Sequence, residues 1–435
     1  MRAALKQAAA YAAIFWLGAL IAPPAFAQLA VDADAFPAPS LAPAPIVLSG
    51  PTYPLSSLPA FNSRTGANAN STTATLYLDF DGDSTTTWGA YSPGTTKAYD
   101  IDGDPNTFSQ QELDNINEIC QRVAEAYSPF NINVTTVAPA SLDHRVAARI
   151  VVGGTGDNGN GSYWYSAASN GKAAGGIAYV QGFTRSFLST TGYVFSSNLA
   201  NGTPKYSAVA IAHEAGHLFG LEHQSVYDES GFKTAEYNPG TSDKAPTMGV
   251  SYFSARSSWW DGPSSTGFSD AQIDVDVISY VDTLNPGSVF NNGFGYATDE
   301  AGDDINHAKP LVVDRDVILA SGVITKTSDI DFYSFSVINE GDALFNLQVA
   351  PFGAMLDGSL ALYSADGTLL DLQATATLGE QLLYHLVPGT YDLAVMSAGN
   401  VGDIGQYVLD GALSVPEPVS VLLFIGTLPF LRRRR

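Results

Sequence analysis

The segment His213-Glu-Ala-Gly-His-Leu-Phe-Gly-Leu-Glu-His223 constrains this chain more than any other feature. Histidines at i and i+4 share one helix face, so His213 and His217 can aim both imidazoles at a single metal ion only if the chain is helical here. Upstream, Ser207-Ala-Val-Ala-Ile-Ala212 supplies small and branched apolar residues that would bury the other face of such a helix. Gly220 lies three residues past His217, where a residue free to adopt positive φ ends the helix and turns the chain back. The turn lets His223 become a third ligand. Three protein nitrogens around Zn2+ leave a fourth position open, which separates a catalytic site from a closed structural one. Glu214, beside the first ligand, is placed to take the proton of a metal-activated water as it attacks a peptide carbonyl, then to hand it to the leaving amine. His144, His307 and His385 stand alone in loop or strand contexts and read as surface or structural residues.

The segment is similar to the metzincin signature of three histidines, one glutamate and one glycine. The resemblance implies a secreted zinc-dependent endopeptidase. It further implies a methionine turn beneath the metal, for which Ala245-Pro-Thr-Met248-Gly249 is the candidate, with Met248 supporting the ligands without binding zinc. Many metzincins carry a tyrosine soon afterwards that assists the transition state. Tyr252 takes that place here, four residues past Met248 rather than the two of astacins and serralysins. A substrate-binding edge strand ahead of the helix is also implied. Gly176-Ile177-Ala178-Tyr179-Val180 matches it, and its backbone would pair with an extended peptide. Leu76-Tyr-Leu-Asp-Phe-Asp-Gly82, Tyr127-Ser-Pro-Phe-Asn-Ile-Asn-Val-Thr-Thr136 and Gly175-Gly-Ile-Ala-Tyr179 resemble recurring blocks of a bacterial subgroup of secreted metzincin-like proteases. Two rival readings are a surface adhesion module with a vestigial zinc centre and zinc-dependent hydrolysis of another amide or ester. Intact ligands together with Glu214 argue against the first.

Composition bounds the partners. Lys plus Arg number 20 against 43 Asp plus Glu, a net charge of −23, and so acidic a chain repels nucleic acid and anionic membranes. The N-terminus carries Arg2 and Lys6, an apolar run from Tyr11 to Ala22, and Ala25-Phe-Ala27 before Gln28. These are the three parts of a secretory signal, so residues 1–27 are expected to be removed by signal peptidase. Cys120 is the sole cysteine, which excludes an internal disulfide and leaves stability to packing and bound ions. Its helical spacing with Leu113, Ile116, Ile119 and Val123 marks a buried core thiol.

Residues 28–70, rich in Ala, Pro, Ser and Asn, read as a linker or a short pro-segment in which Asp32 or Asp34 would cap the metal. At the other end, Val415-Pro-Glu-Pro418 precedes an apolar stretch from Val419 to Leu431 and Arg432 to Arg435. The stretch is short for a spanning helix of roughly 20 residues. The order resembles the PEP-CTERM sorting signal. The resemblance implies transient membrane anchoring, processing by an exosortase-like enzyme, and a destination at the cell surface, outer envelope or extracellular matrix of a Gram-negative bacterium.

At 435 residues the chain is expected to form two or three domains. Strand patterns at Thr75–Phe80, Ile132–Val137 and Arg149–Val152 flank a helix over Ser109–Ala126, opened by the capping box Ser109 and Glu112. The expectation is an α+β domain over residues 71–285, metzincin-like, a mixed sheet with the zinc-binding helix. A linker over 286–298 follows. Short strands from Val317 to Leu409, separated by turns such as Ala365-Asp-Gly367, predict an all-β sandwich over 299–414. Asp329-Ile-Asp-Phe-Tyr-Ser-Phe335 and Gly389-Thr-Tyr-Asp-Leu-Ala394 resemble the bacterial pre-peptidase C-terminal domain. That resemblance implies a Ca2+ site, matched by Glu300, Asp303, Asp329 and Asp331. Asp100-Ile-Asp-Gly-Asp104 fails as an EF-hand because Pro105 and Gln111 stand where a glycine and a glutamate are needed.

Overall fold

Runs of β-branched and aliphatic residues between Ala74 and Val194 build the sheet that carries the site. A computed structural model of the chain describes residues 50–64, 74–160, 162–165 and 174–413. In it the runs form β1 (Ala74–Asp79), β2 (Ile132–Thr135), β3 (Ala147–Val152), β4 (Gly176–Ile177) and β5 (Thr191–Val194). They lie in the order β2-β1-β3-β5-β4. The first four of these are mutually parallel, and β4 is antiparallel at the edge. Leu76, Leu78, Ile150 and Val151 are fully buried, as expected of strands covered on both faces.

Two helices cover the sheet. Helix α1 (Gln110–Tyr127) starts at Ser109, whose side chain accepts from the Glu112 amide while the Glu112 carboxylate accepts from the Ser109 amide. Ile116, Ile119, Cys120 and Val123 line its buried face, and burial pushes the Cys120 thiol pKa up. Helix α2 (Pro204–Leu218) opens with a proline, which suits a first turn whose N–H has no partner in the helix. It is buried from Ser207 to Leu218, packed on α1, β3 and β5. Tyr127 Oη donates to the Ala212 carbonyl at 2.9 Å and fixes α1 against α2.

Beyond α2 the chain forms loops and short ladders, among them the parallel pair β6 (Lys244–Pro246) and β7 (Arg256–Ser258). Then comes a β-sandwich. One sheet orders Lys309–Pro310, Ile330–Val337, Gly389–Ser397, Gly358–Ser364 and Leu369–Gln373; the other orders Val317–Ile324, Gly405–Ala412, Gly341–Val349 and Glu380–Leu386. Alternation along Ile330–Val337 turns Asp331, Tyr333, Phe335 and Val337 inward.

Three expected boundaries need correction. Residues 52–64, expected to belong to the linker, are part of the first domain. Thr52–Pro54 pairs with Thr107–Ser109, the Ser63 amide donates to the Val134 carbonyl at 2.9 Å beside β2, and Leu55, Leu58 and Phe61 pack on the core. A few apolar side chains among prolines suffice because they reach an open sheet edge. Residues 286–298, expected to be a linker, are held fast. Asn292 Nδ2 donates to the carbonyls of Phe219, Val277 and Ile278, and the Phe130 and Tyr296 rings stack at 6.0 Å. The expected edge strand over 176–180 is only Gly176–Ile177, because the Gly182 amide closes a turn onto the Tyr179 carbonyl.

The two domains consequently share one apolar cluster running from Ala74 to Leu413. Glu125 of α1 is fully buried in the contact, accepting from the Met355 and Gln406 amides. Burial pushes its carboxyl up to about 7. The expected signal over residues 1–27, the segment around Asp32 and Asp34, and the expected anchor over 415–435 lie outside the described residues. Among the described residues no helix is long and apolar enough to cross a membrane.

Candidate metal centre

Helix α2 delivers His213 and His217 one turn apart, and Gly220, at φ +102°, reverses the chain just after the helix ends. The Leu221 amide donates to the Gly216 carbonyl at 2.9 Å, which closes the turn and brings His223 back. One ligand atom from each of the three imidazoles lies within 4.8 Å of the other two, and all three residues are buried.

The partners of the rings decide which nitrogen faces a metal. His213 Nδ1 lies 2.8 Å from the Thr247 carbonyl and His217 Nδ1 lies 2.7 Å from the Leu221 carbonyl. A carbonyl oxygen only accepts, so both Nδ1 atoms carry the proton and both Nε2 atoms present a lone pair. His223 Nδ1 lies 2.7 Å from Glu236 Oε1, the same arrangement with a carboxylate as acceptor. Three imidazoles, each oriented by an oxygen on its far side, form a donor set that suits Zn2+. Glu236 is itself held by Lys233 Nζ at 2.6 Å. Burial alone would raise its carboxyl pKa, but the hydrogen bonds from His223 and Lys233 outweigh that and hold it below the ordinary value.

Glu214 is buried beside these rings. A Cβ built on Gly176 would lie 2.5 Å from Glu214 Oε1, so the carboxylate rests against the bare backbone of β4. The edge strand and the acid group therefore meet only because residue 176 has no side chain. Met248 is fully buried under α2; a Cβ at Gly216 would lie 2.6 Å from its sulfur. The Met248 carbonyl accepts from the Gln224 amide at 2.8 Å and so fastens the turn to the residue that follows His223.

Tyr252 is buried with its ring 5.2 Å from that of Tyr206, near the start of α2. The aromatic ring beside the histidines is Tyr237, 4.4 Å from His223 and 6.1 Å from His213. Sequence reasoning missed Tyr237, Glu236 and the Thr247 carbonyl. Nothing in the local pattern marks them, since each reaches the centre through a loop.

In the sandwich, Asp299, Asp329 and Asp331 each bring an oxygen within 4.8 Å of the others. Asp299 stands where Asp303 was expected; the Asp303 carboxylate instead accepts from the Ile330 amide at 3.4 Å. Glu300 accepts from the Val323 amide. Asp100, Asp102 and Glu112 also converge, but Glu112 is engaged by the Ile101 and Ser109 amides.

Residues 127–275, which span all three histidines and Met248, match the model of the reprolysin-like metallo-peptidase family M12B. This supports a zinc-dependent metalloprotease. No curated protein matches the chain. Among solved structures, the pre-peptidase C-terminal domain of a Bacillus anthracis collagenase matches at 15% identity over 24% of this chain and 94% of that one, with a TM-score of 0.21. A periplasmic inhibitor of g-type lysozyme from Salmonella Typhimurium matches at 18% identity over 24% and 98%, with a TM-score of 0.18. Wild-type OgpA from Akkermansia muciniphila matches at 10% identity over 78% and 92%, with a TM-score of 0.17. Likenesses of this size do not bear on the reaction.

Because Glu236 orients a ligand without reaching the metal position, Glu236→Gln should leave the fold intact and weaken zinc binding by about 10–100-fold. Competition against a chromophoric chelator measures this. Unchanged affinity would show that His223 needs no carboxylate behind it.

Proposed function

We propose that the chain is an exported zinc endopeptidase of the metzincin type that hydrolyses peptide bonds of protein substrates. The observation that carries this reading is the common orientation of His213, His217 and His223, each with Nδ1 engaged by an oxygen and one ligand atom close to the other two. These three residues would hold the zinc, which when bound supplies Lewis-acid polarisation of the scissile carbonyl and of the attacking water. Glu214 takes the water's proton and returns it to the leaving nitrogen. An extended substrate pairs with the backbone of Gly176 and Ile177, beside which the Glu214 carboxylate lies. Gly220 provides the reversal that completes the ligand set, and Met248 supports it from below. Tyr252, whose ring lies 5.2 Å from that of Tyr206, serves the packing of the start of α2.

The test is digestion of an unstructured protein by residues 28–415, beside Glu214→Ala at matched zinc occupancy. The variant should be slower by about 100-fold or more, and a chelator should abolish the parent's activity. Equal rates, or no cleavage by either zinc-loaded form, would overturn the peptidase reading in favour of a binding module.

The ends support export and sorting. Signal peptidase would release Gln28, and an exosortase-like enzyme would remove the tail after transient anchoring at the cell surface. Mass spectrometry of the exported protein should find Gln28 at the start and no Arg435; an intact Arg435 contradicts the sorting reading.

We further propose a calcium site in the sandwich at Asp329 and Asp331, with Asp299 as third carboxylate and Glu300 nearby. Asp331 Oδ2 accepts from Tyr407 Oη at 2.6 Å, while its buried Oδ1 has no hydrogen-bond partner among the described residues. Burial, with Glu300, Asp329 and Asp299 adding repulsion, pushes the Asp331 carboxyl up to about 8. A folded-state pKa above the unfolded one means that the native state holds the proton more tightly, so stability falls as pH rises from about 4 through about 8. Added Ca2+ should therefore raise the melting temperature at pH 8 and far less at pH 5, and Asp331→Asn should remove the difference. An equal calcium effect at both pH values would count against this site.

A further inference from the structure

The β6–β7 ladder is the base of the loop that carries Met248. Its register sets Lys244 opposite Arg256 and Pro246 opposite Ser258, and the Thr247 amide donates to the Ser258 carbonyl at 2.8 Å. Thr247 thereby has both ends fixed: its N–H to β7 and its carbonyl to His213 Nδ1. What anchors the ladder lies in the other domain. Asp403, in the turn between the sandwich strands Gly389–Ser397 and Gly405–Ala412, is fully buried. Its Oδ1 lies 2.7 Å from Lys244 Nζ and 3.3 Å from Arg256 Nη1.

The surrounding backbone adds to the clamp. Lys244 Nζ also donates to the Val401 carbonyl at 2.8 Å, and Ser258 Oγ donates to the Gly402 carbonyl at 3.0 Å. Gly402, at φ +73°, approaches so closely that a Cβ there would lie 1.9 Å from Ser258 Oγ and 2.2 Å from the Trp259 carbonyl. One buried carboxylate thus joins two largely buried cations, one from each strand of the ladder. Arg256 also meets Asp243 at 3.1 Å and Asp357 at 3.9 Å, but Asp403 is the carboxylate that joins it to Lys244, whose ammonium would otherwise face Arg256 across the register with much of its hydration lost.

We propose that Asp403 of the β-sandwich is a positioning residue for the zinc centre, acting through Lys244 and Arg256 on the loop that presents the Thr247 carbonyl to His213. The sandwich is then a working part of the peptidase and not an appended binding module. This rests on the zinc reading of His213, His217 and His223. Loss of Asp403 lets the ladder shift, the Thr247 carbonyl moves, and His213 loses the acceptor that fixes its tautomer and direction.

The experiment uses the full chain carrying Asp403→Asn, with Glu340→Gln on the exposed rim of the sandwich as control. Four properties are measured: melting temperature, zinc affinity by chelator competition, the visible spectrum of the Co2+-substituted protein, and kcat separately from KM. In the folded Asp403→Asn protein the expected result is about tenfold or more weaker zinc binding, an altered Co2+ spectrum, and reduced kcat at unchanged KM. The control should match the parent throughout. If Asp403→Asn does not fold, Ser258→Ala, which removes one hydrogen bond of the clamp and strands no charge, should show the same changes on a smaller scale. A folded variant with the parent's Co2+ spectrum, zinc affinity and kcat overturns the proposal and leaves the zinc reading standing. A parent chain that binds neither Zn2+ nor Co2+ overturns both.

Discussion

The hydrogen bond between His213 Nδ1 and the Thr247 carbonyl is the point where a helix and a distant loop become one site. Helix α2 supplies two of the three converging imidazoles. The third comes from the chain reversal at Gly220, and the orientation of the first comes from 34 residues downstream. Each imidazole here is held by an oxygen from a different structural source: the carbonyl of the Met248 loop, the helix-terminal turn, and the carboxylate of Glu236 on a second loop. Directional bonds of this kind fix ring angles in a way that apolar packing does not.

With Cys120 alone and buried, the chain has no disulfide to brace these loops. Packing and buried polar contacts do that work. One apolar cluster runs through both domains, and the contact between them includes the fully buried carboxylates Glu125 and Asp403. The two are satisfied differently. Glu125 takes backbone amides and its pKa is raised by burial, whereas Asp403 takes the side chains of Lys244 and Arg256. Asp274, another fully buried carboxylate, gathers Gln224, Gln272 and the Trp260 amide and so secures the segment after His223. Removing such a partner strands a polar group in a water-free place, which is why the contacts define relative position as well as contribute energy.

Much of the fold was legible because its signals are local. The Ser109 and Glu112 capping box begins α1, and the strand Val317–Ile324 falls where alternation placed it. The Gly220 turn follows from one residue's backbone freedom. Composition misled where a segment's polarity is offset by a few long-range contacts. Residues 52–64 look like linker by their prolines, yet Leu55, Leu58 and Phe61 find an open edge of the sheet. Residues 286–298 fall at the expected junction of the two domains, yet Asn292 donates to three carbonyls at once.

The sequence by itself determined the convergence of three histidines, because helical periodicity and one glycine place His213, His217 and His223 within reach of each other. It also determined the class of both domains, through local strand and helix patterns. Only the tertiary structure decided what stands behind each ligand: Thr247, Glu236, the ring of Tyr237 and, through Lys244 and Arg256, Asp403. Those residues lie 13 to 180 positions beyond the end of the motif at His223 and carry no periodic signal. Their roles come from the register of a short ladder and the docking of two domains, which depend on the summed packing of the whole chain and on no single stretch of it.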